Sequence, residues 1–378
     1  ISNREKIVLV LVNGKSLDLI SQLPAAERLV FANEWPILYK DHANILKSIV
    51  ANSSVKQIFI DIEFHKIRNT DESFSQFRRV LEILHRKKGV QFIHAVGGGE
   101  HQIPAKINQE LMEFSLPVVN AWDGDYMPLY QLKGKQKAIT PALQMYLNIK
   151  QEKINLLNFQ KEMFVYWRNS YDKSLFEEKE LTFCNNDQIN PILKSMKLLA
   201  QGFFDIEEHE KCYPHKVIFL DKLQQMVSQG AEGKAKIKRI FDDATVLYGT
   251  DYIALGDRFE SPTHGTIPRI FYHAMGLDNL LEFNENYFKT YSNLLAITSW
   301  SLLSMILILI YFCKEWFKSD FLNNYKKAIV VVTLLLYFVI LIFVTFYYRL
   351  APANLIALFS LIGFAWLLSS KEDSCLHQ

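Results

Sequence analysis

The segment ALGDRFESPTHG, Ala254–Gly265, sets Asp257, Arg258, Glu260 and His264 around Pro262 and two glycines. Carboxylates beside an arginine and a histidine are the raw material of an acid–base centre, a ligand clamp or a polar turn. In the last case Pro262 and Gly265 shape a long turn, Asp257 caps backbone N–H groups or pairs with Arg258, and His273 opens the next helix. A second cluster, DIEFH, places Asp61, Glu63 and His65 at alternate positions, so that on a strand all three share one face. Such a trio could ligate zinc, or it could line the crevice beyond the strand end, where open α/β sheets bind ligands. The crevice is the preferred reading. Its candidate residues are Asp61, Glu63, His65, Asp257, Arg258 and His273.

Other motifs carry less. EEHEKCYPH offers His209, Cys212 and His215 at ligand-like spacing but has no second cysteine pair nearby, so no metal is expected there. The glycine-rich AVGGGEH, Ala95–His101, lacks the Gly-Lys-Ser/Thr of a nucleotide loop and reads as a turn. LKGKQK and GKAKIKR read as short, solvated basic loops. No Gly-x-Ser-x-Gly, His-Glu-x-x-His or kinase signature occurs. With no recognisable grouping of nucleophile, base and orienting residue, the chain is expected not to be an enzyme and to need no cofactor.

The elements that must position these residues alternate in type. KIVLVLV, Lys6–Val12, is a continuous apolar run ending at Asn13-Gly14, the pattern of a buried strand entering a turn. Trp35–Val50 reads as a helix, Val55–Phe64 as a strand, Asp71–Gly89 as a helix stopped by Gly89, and Val90–Val96 as a strand. LPVVNAW, EMFVYW and ATVLYG are further strand candidates, whereas residues 151–245 show much charge, little period and the character of an insertion or loops. This βαβ rhythm implies an α/β domain with a central, mainly parallel sheet flanked by helices.

The C-terminal part differs in kind. Leu294–Phe312, Ala328–Tyr347 and Ala351–Leu368 are uncharged apolar runs, each close to the roughly 20 residues a helix needs to cross a bilayer. They are read as a three-helix transmembrane bundle within 291–370, so the lipid bilayer is the first expected partner. Lys314, Lys318, Lys326 and Lys327 lie between the first two runs, against Arg349 alone between the last two. Positive loops stay in the cytoplasm, which places residues 1–290 outside it and the tail 371–378 inside. An export element is expected ahead of Ile1. Cys184 and Cys212 then fall in the exported part, where a disulfide between them could form, while Cys313 and Cys375 fall at cytoplasmic ends. Acidic and basic residues balance over 1–290, so no nucleic acid is expected as a partner.

The order of several motifs resembles the CHASE2 family, extracytoplasmic sensory domains usually followed by three transmembrane helices. GDRFESP, Gly256–Pro262, is similar to the family's Asp-containing segment leading to Thr-Pro or Ser-Pro. IPRIFYHAMGLDNLL, Ile267–Leu281, matches its Pro-Gly-Val-x-x-His-Ala segment and Asn-Leu-Leu close at Pro268, His273, Ala274, Asn279, Leu280 and Leu281. WPILYKDHA keeps Trp35, Pro36, His42 and Ala43, and IFIDIEF keeps Asp61 at the end of the second strand. Three positions depart from the pattern: Asn13 stands for an Asp, Tyr39 for an arginine and Arg269 for a glycine.

The resemblance implies a sensory or ligand- or protein-binding module of the bacterial inner membrane, with residues 1–290 periplasmic. Family members typically continue into a cytoplasmic output domain, and here the third run is followed only by the tail that closes with 371–378 in this sequence. The output is therefore expected from a separate membrane or envelope protein. The alternative is a structural or docking subunit of an envelope complex, and a homo-oligomer is left open.

Overall fold

The computed structural model describes residues 6–64, 73–96, 105–119, 126–133, 136–151, 159–167, 215–252, 257–261 and 265–289, with Val332 and Tyr347 beyond them. The chain divides into two compact units, Ile1–Glu285 and Asn286–Gln378. The three apolar runs fall in the second unit and, apart from Val332 and Tyr347, outside the described residues. Among the described residues no helix is long and apolar enough to cross a membrane.

The first unit is built on a six-stranded parallel sheet. Its first strand, β1 (Lys6–Val12), is followed by α1 (Gly14–Ser21), α2 (Tyr39–Ala51), β2 (Gln57–Ile60), α3 (Phe74–Lys88), β3 (Gln91–Ala95), α4 (Ala105–Met112) and β4 (Ser115–Val118). Three short strands come next, β5 (Tyr126–Pro128), β6 (Tyr130–Lys133) and β7 (Gln136–Ile139), and then α5 (Pro141–Lys150) and β8 (Glu162–Phe164). The chain returns to the sheet with β9 (Lys216–Phe219), α6 (Leu220–Ser228), α7 (Gly230–Phe241) and β10 (Ala244–Thr250). It ends in a hairpin, β11 (Arg258–Ser261) with β12 (Gly265–Pro268), and a helix, α8 (Ile270–Phe283).

Strand order is β4-β3-β2-β10-β1-β9, with every pairing in the sheet parallel. The late strand β10 therefore inserts between β1 and β2, and it is buried along its whole length. Helices cover both faces, which explains why Ile7–Val12 of β1 and the whole of β10 are buried rather than alternating between buried and exposed. On one face Val8, Val10, Val12, Ile58, Ile60, Val246 and Tyr248 share a core with Leu17, Ile45, Phe77, Leu223 and Ile237 from the helices. On the other, Leu9, Leu11, Phe59 and Leu247 are buried, and α5 and α8 lie against the strands. Each fully buried Val, Leu or Ile contributes about 1.5–3 kcal/mol, so β1 alone is a large part of the stability.

Several sequence expectations shift. The helix expected over Trp35–Val50 begins at Tyr39, because Pro36 disfavours helical backbone at Trp35 and the Asp41 carboxylate accepts the Leu38 N–H at the helix entrance. The strand expected over Val55–Phe64 is only Gln57–Ile60. Of the region expected to hold an insertion or loops, 151–245, the described residues supply β8, β9, α6 and α7, and residues 168–214 lie outside the described set. GKAKIKR is no loop: its lysines ride on α7, whose buried side carries Ile237, Ile240 and Phe241. Gly233 makes that helix fit, since a Cβ there would sit 1.6 Å from the Met226 carbonyl oxygen of α6. The long turn expected at Ala254–Gly265 becomes the β11–β12 hairpin, although residues 253–256 and 262–264 lie outside the described set.

Candidate functional site

Parallel strands all end on one edge, so the sheet collects its C-terminal residues along a single crest. Asn13 follows β1 and caps α1, its Oδ1 accepting the Ser16 N–H at 2.8 Å. The Ser16 hydroxyl donates to Asp221 Oδ1 at 2.7 Å, joining the start of α1 to the start of α6. The Asp61 N–H donates to the Tyr248 carbonyl at 2.8 Å, and the Asp251 N–H donates to the Val12 carbonyl at 2.9 Å. These last bonds carry the ladder one residue past each strand and leave Asp61 and Asp251 on the rim.

Gly249 lets the rim close. A Cβ at this position would lie 2.8 Å from Ile270 Cδ1 and 3.3 Å from Asp61 Cβ, so the end of β2 and the start of α8 both approach β10 here. Past β2, Asp61 and Glu63 are half-buried while Ile62 and Phe64 point into the core. The alternation of a strand thus survives after the ladder has ended. His65, the third residue of that set, lies outside the described residues, as do His264, His209, Cys184 and Cys212.

Asp257 and Arg258 do not pair with each other. Successive side chains of extended backbone point to opposite sides, and the two reach different residues of the β10 end. The Thr250 hydroxyl donates to Asp257 Oδ2 at 2.8 Å. Arg258 donates from Nε at 2.8 Å and from Nη2 at 2.6 Å to Asp251 Oδ1, in a pair largely withdrawn from water. The Asp257 carbonyl, not its carboxylate, caps backbone: it accepts the Arg269 N–H at 2.9 Å. Burial pushes the Asp257 carboxyl above its ordinary value. The Thr250 hydrogen bond and the Arg269 charge oppose that rise, whereas Asp251 and Glu63 add to it.

His273 sits elsewhere. It is buried on α8, edge-on to Phe59 of β2 with ring centroids 5.5 Å apart, inside the layer between helix and sheet. Burial there drives its pKa down to about 3, so the ring is neutral. Among the described residues no group of three or more His, Cys, Asp and Glu side chains could hold a metal ion.

One arrangement escaped the sequence reading. His94 Nδ1 is 2.8 Å from Ser115 Oγ and its Nε2 is 3.0 Å from Asn108 Oδ1. The trio has the residue types of a nucleophile, base and orienting group, but its three members are scattered in sequence and no local motif signals them. Ser115 and His94 are 3% and 1% exposed, and burial lowers the His94 pKa. A hydroxyl so enclosed meets no substrate carbonyl, and the trio serves as a polar strut between β3, α4 and β4.

The family comparison completes the picture, since a CHASE2 domain matches residues 1–309. The chain belongs to the CHASE2 family. CHASE2 domains are extracytoplasmic sensory domains. No curated protein and no solved structure matches the chain.

Most CHASE2-like motif residues turn out to be internal. His42 is 1% exposed, its Nδ1 2.7 Å from the Tyr248 hydroxyl and its ring packed against Trp35, Phe64 and Phe77. Ala43, Ala274 and Leu280 are buried. Asn279 acts as a one-residue strand, accepting the Tyr166 N–H at 2.9 Å and donating to the Tyr166 carbonyl at 3.1 Å. Asp61 and Asp257 are the motif residues left at the crest of the CHASE2 domain.

Proposed function

We propose that the chain is a membrane-anchored extracytoplasmic sensory module that binds a small ligand or an envelope protein at the sheet crest and acts through a separate partner. The supporting observation is the crest itself. Asp61, Glu63, Asp251 and Asp257 converge there with Arg258 and Arg269, at the strand ends where open α/β sheets bind their ligands. A CHASE2 domain used for sensing needs one polar, adjustable surface on a rigid scaffold, and the crest supplies it while the other motif residues hold the scaffold together.

In this reading the domain works by binding and not by chemistry. The apolar runs Leu294–Phe312, Ala328–Tyr347 and Ala351–Leu368 anchor it in the bacterial inner membrane, and the lysine-bearing segment 314–327 meets the partner on the cytoplasmic side.

Native mass spectrometry of the full chain, released gently from its own membrane, tests this proposal. The expected result is a small molecule or protein chain retained by the wild type and released by Asp61→Ala. A species retained equally by both proteins would put the binding surface away from the crest. A protein chain as the retained species would identify a docking subunit, and a small molecule would identify a ligand sensor.

A further inference from the structure

Strands that all end on one edge all start on the other, and the starting edge carries a different charge. Three neighbouring strands, β3, β2 and β10, begin side by side there. The Lys56 N–H donates to the Ala244 carbonyl at 3.1 Å, and the Gln91 N–H donates to the Lys56 carbonyl at 3.1 Å. The chain enters these strands over Lys87 and Lys88 at the end of α3, over Lys56, and over Lys238 and Arg239 in the last turn of α7. All five bases are exposed, and α3 and α7 share one face of the sheet. The nearby acids are fewer and partly engaged. Asp242 accepts the Ser54 N–H at 2.8 Å and the Ser54 hydroxyl at 3.0 Å, while Glu82 and Glu113 are paired with Arg86 and Arg78. Asp243 lies between α7 and β10, and Glu282 and Glu285 belong to the end of α8 on the opposite face. Cations suit helix C-termini, which accounts for part of the placement on α3 and α7. Lys56 leads into a strand and serves no helix end.

The same edge passes the chain on. α8 starts at the crest, with Ile270 against Gly249, and ends beside the start of β2. There the Tyr146 hydroxyl donates to Asn284 Oδ1 at 3.1 Å, and Gln57 Nε2 donates to the neighbouring Met145 carbonyl at 3.1 Å. The first unit ends at Glu285, a short way before the apolar run that opens at Leu294. The stretch between these two residues reaches at most about 30 Å even when fully extended.

We infer that the strand-start edge is a docking surface for anionic phospholipid headgroups, on which Lys56, Lys87, Lys88, Lys238 and Arg239 seat the domain with its crest turned away from the bilayer. This contact rests on the membrane-anchored reading. Basic clusters beside a bilayer are drawn to anionic headgroups over about a Debye length. The short tether confines the edge to the neighbourhood of the bilayer. The crest, with Asp61, Glu63, Asp251 and Asp257 against Arg258 and Arg269, gains nothing from the same surface. A crest turned outward stays open to a ligand or partner from the surroundings. Because a mixture of lipids covers the opposite edge, a crosslinker placed there yields no discrete adduct with a ligand or a protein.

Lysine footprinting of the full chain in lipid nanodiscs tests the contact. An amine-reactive probe is applied in discs of phosphatidylcholine and in discs that also contain phosphatidylglycerol. Labelling of Lys56, Lys87 and Lys88 is expected to slow severalfold in the anionic discs and to recover at high salt. Lys15 and Lys222, exposed near the crest ends of α1 and α6, should label equally in both. In the double variant Lys87→Gln/Lys88→Gln, changed only at exposed positions, the slowing at Lys56 should shrink. Equal rates in the two discs, equal slowing of the crest lysines, or undiminished slowing at Lys56 in the double variant would overturn the contact. A chain recovered outside the discs would overturn the membrane reading and the contact with it. Each of these outcomes is independent of whether a ligand or partner is found at the crest.

Discussion

Asp41→Ala is expected to destabilise the CHASE2 domain by roughly 1–3 kcal/mol, since it removes a buried acceptor shared by three part-buried backbone N–H groups. The Asp41 side chain is fully buried. Its Oδ1 accepts the Phe31 N–H at 3.0 Å, and its Oδ2 accepts the N–H groups of Ala32 and Leu38 at 3.1 and 3.3 Å. One carboxylate thus organises the whole approach to α2. Burial raises its pKa while the three N–H groups and Lys40 pull it down. Asn at this position keeps one carbonyl oxygen but turns the other acceptor into a donor, so Asp41→Asn should recover only part of the loss. The consequence reaches the crest, because the segment that Asp41 holds carries Trp35, whose ring lies 5.7 Å from that of Tyr252 just past β10. Urea unfolding of wild type, Asp41→Ala and Asp41→Asn measures the effect. A loss below about 1 kcal/mol in the alanine variant would mean that water or other acceptors satisfy the segment.

Acid is expected to destabilise the domain through His273. The folded ring stays neutral down to about pH 3, whereas the unfolded chain takes up a proton near the ordinary value of 6.5. Between those limits the unfolded state binds more protons. The His273 contribution is therefore intact above pH 6.5 and falls by up to about 1.4 kcal/mol for each pH unit below it. At pH 5 this amounts to about 2 kcal/mol. His94 acts in the same direction, its pKa lowered by burial, and Asp257 acts in the opposite one. Comparison with His273→Gln separates the contributions, because glutamine does not titrate and the other groups remain. Unfolding free energies at pH 7.5 and pH 5 should fall more steeply for the wild type than for the variant. Parallel profiles would show that His273 takes up its proton in the folded state as readily as in the unfolded chain.

The fold was legible where the signal is local. KIVLVLV followed by Asn13-Gly14 reads as a buried strand and a helix entrance, and it forms β1 and the Asn13 cap of α1. Gly89 ends α3 in the left-handed conformation that glycine adopts without penalty. The CHASE2 resemblance rested on motif order, which the domain match over 1–309 supports. What stayed hidden is non-local or brief. β9 has four residues, and the charge on α7 masks an apolar side that only the helical period reveals. Nothing in the local sequence says that β10 slips between β1 and β2, since both of its neighbours lie far away in the chain.

The site was legible in the same uneven way. Asp61 announces itself by ending a strand, and Asp257 by its segment. Arg258 was read against its chain neighbour, but side-chain alternation sends it to Asp251, a residue that no motif singles out. His273 looks polar at the start of a helix, yet the buried face of α8 carries it into the apolar layer beside Phe59. A histidine in a helical segment with so much apolar surface around it is first a packing residue.

The central claim is that the CHASE2 domain meets its ligand or partner at the crest, and photocrosslinking at the two ends of the sheet tests it most directly. A photoreactive residue replaces Glu63 at the crest, or Gln91 at the exposed opposite end where β3 begins, in the full chain in its own membrane. The expected result is a discrete adduct from position 63 and none from position 91. An adduct from position 91 with none from position 63 would contradict the account.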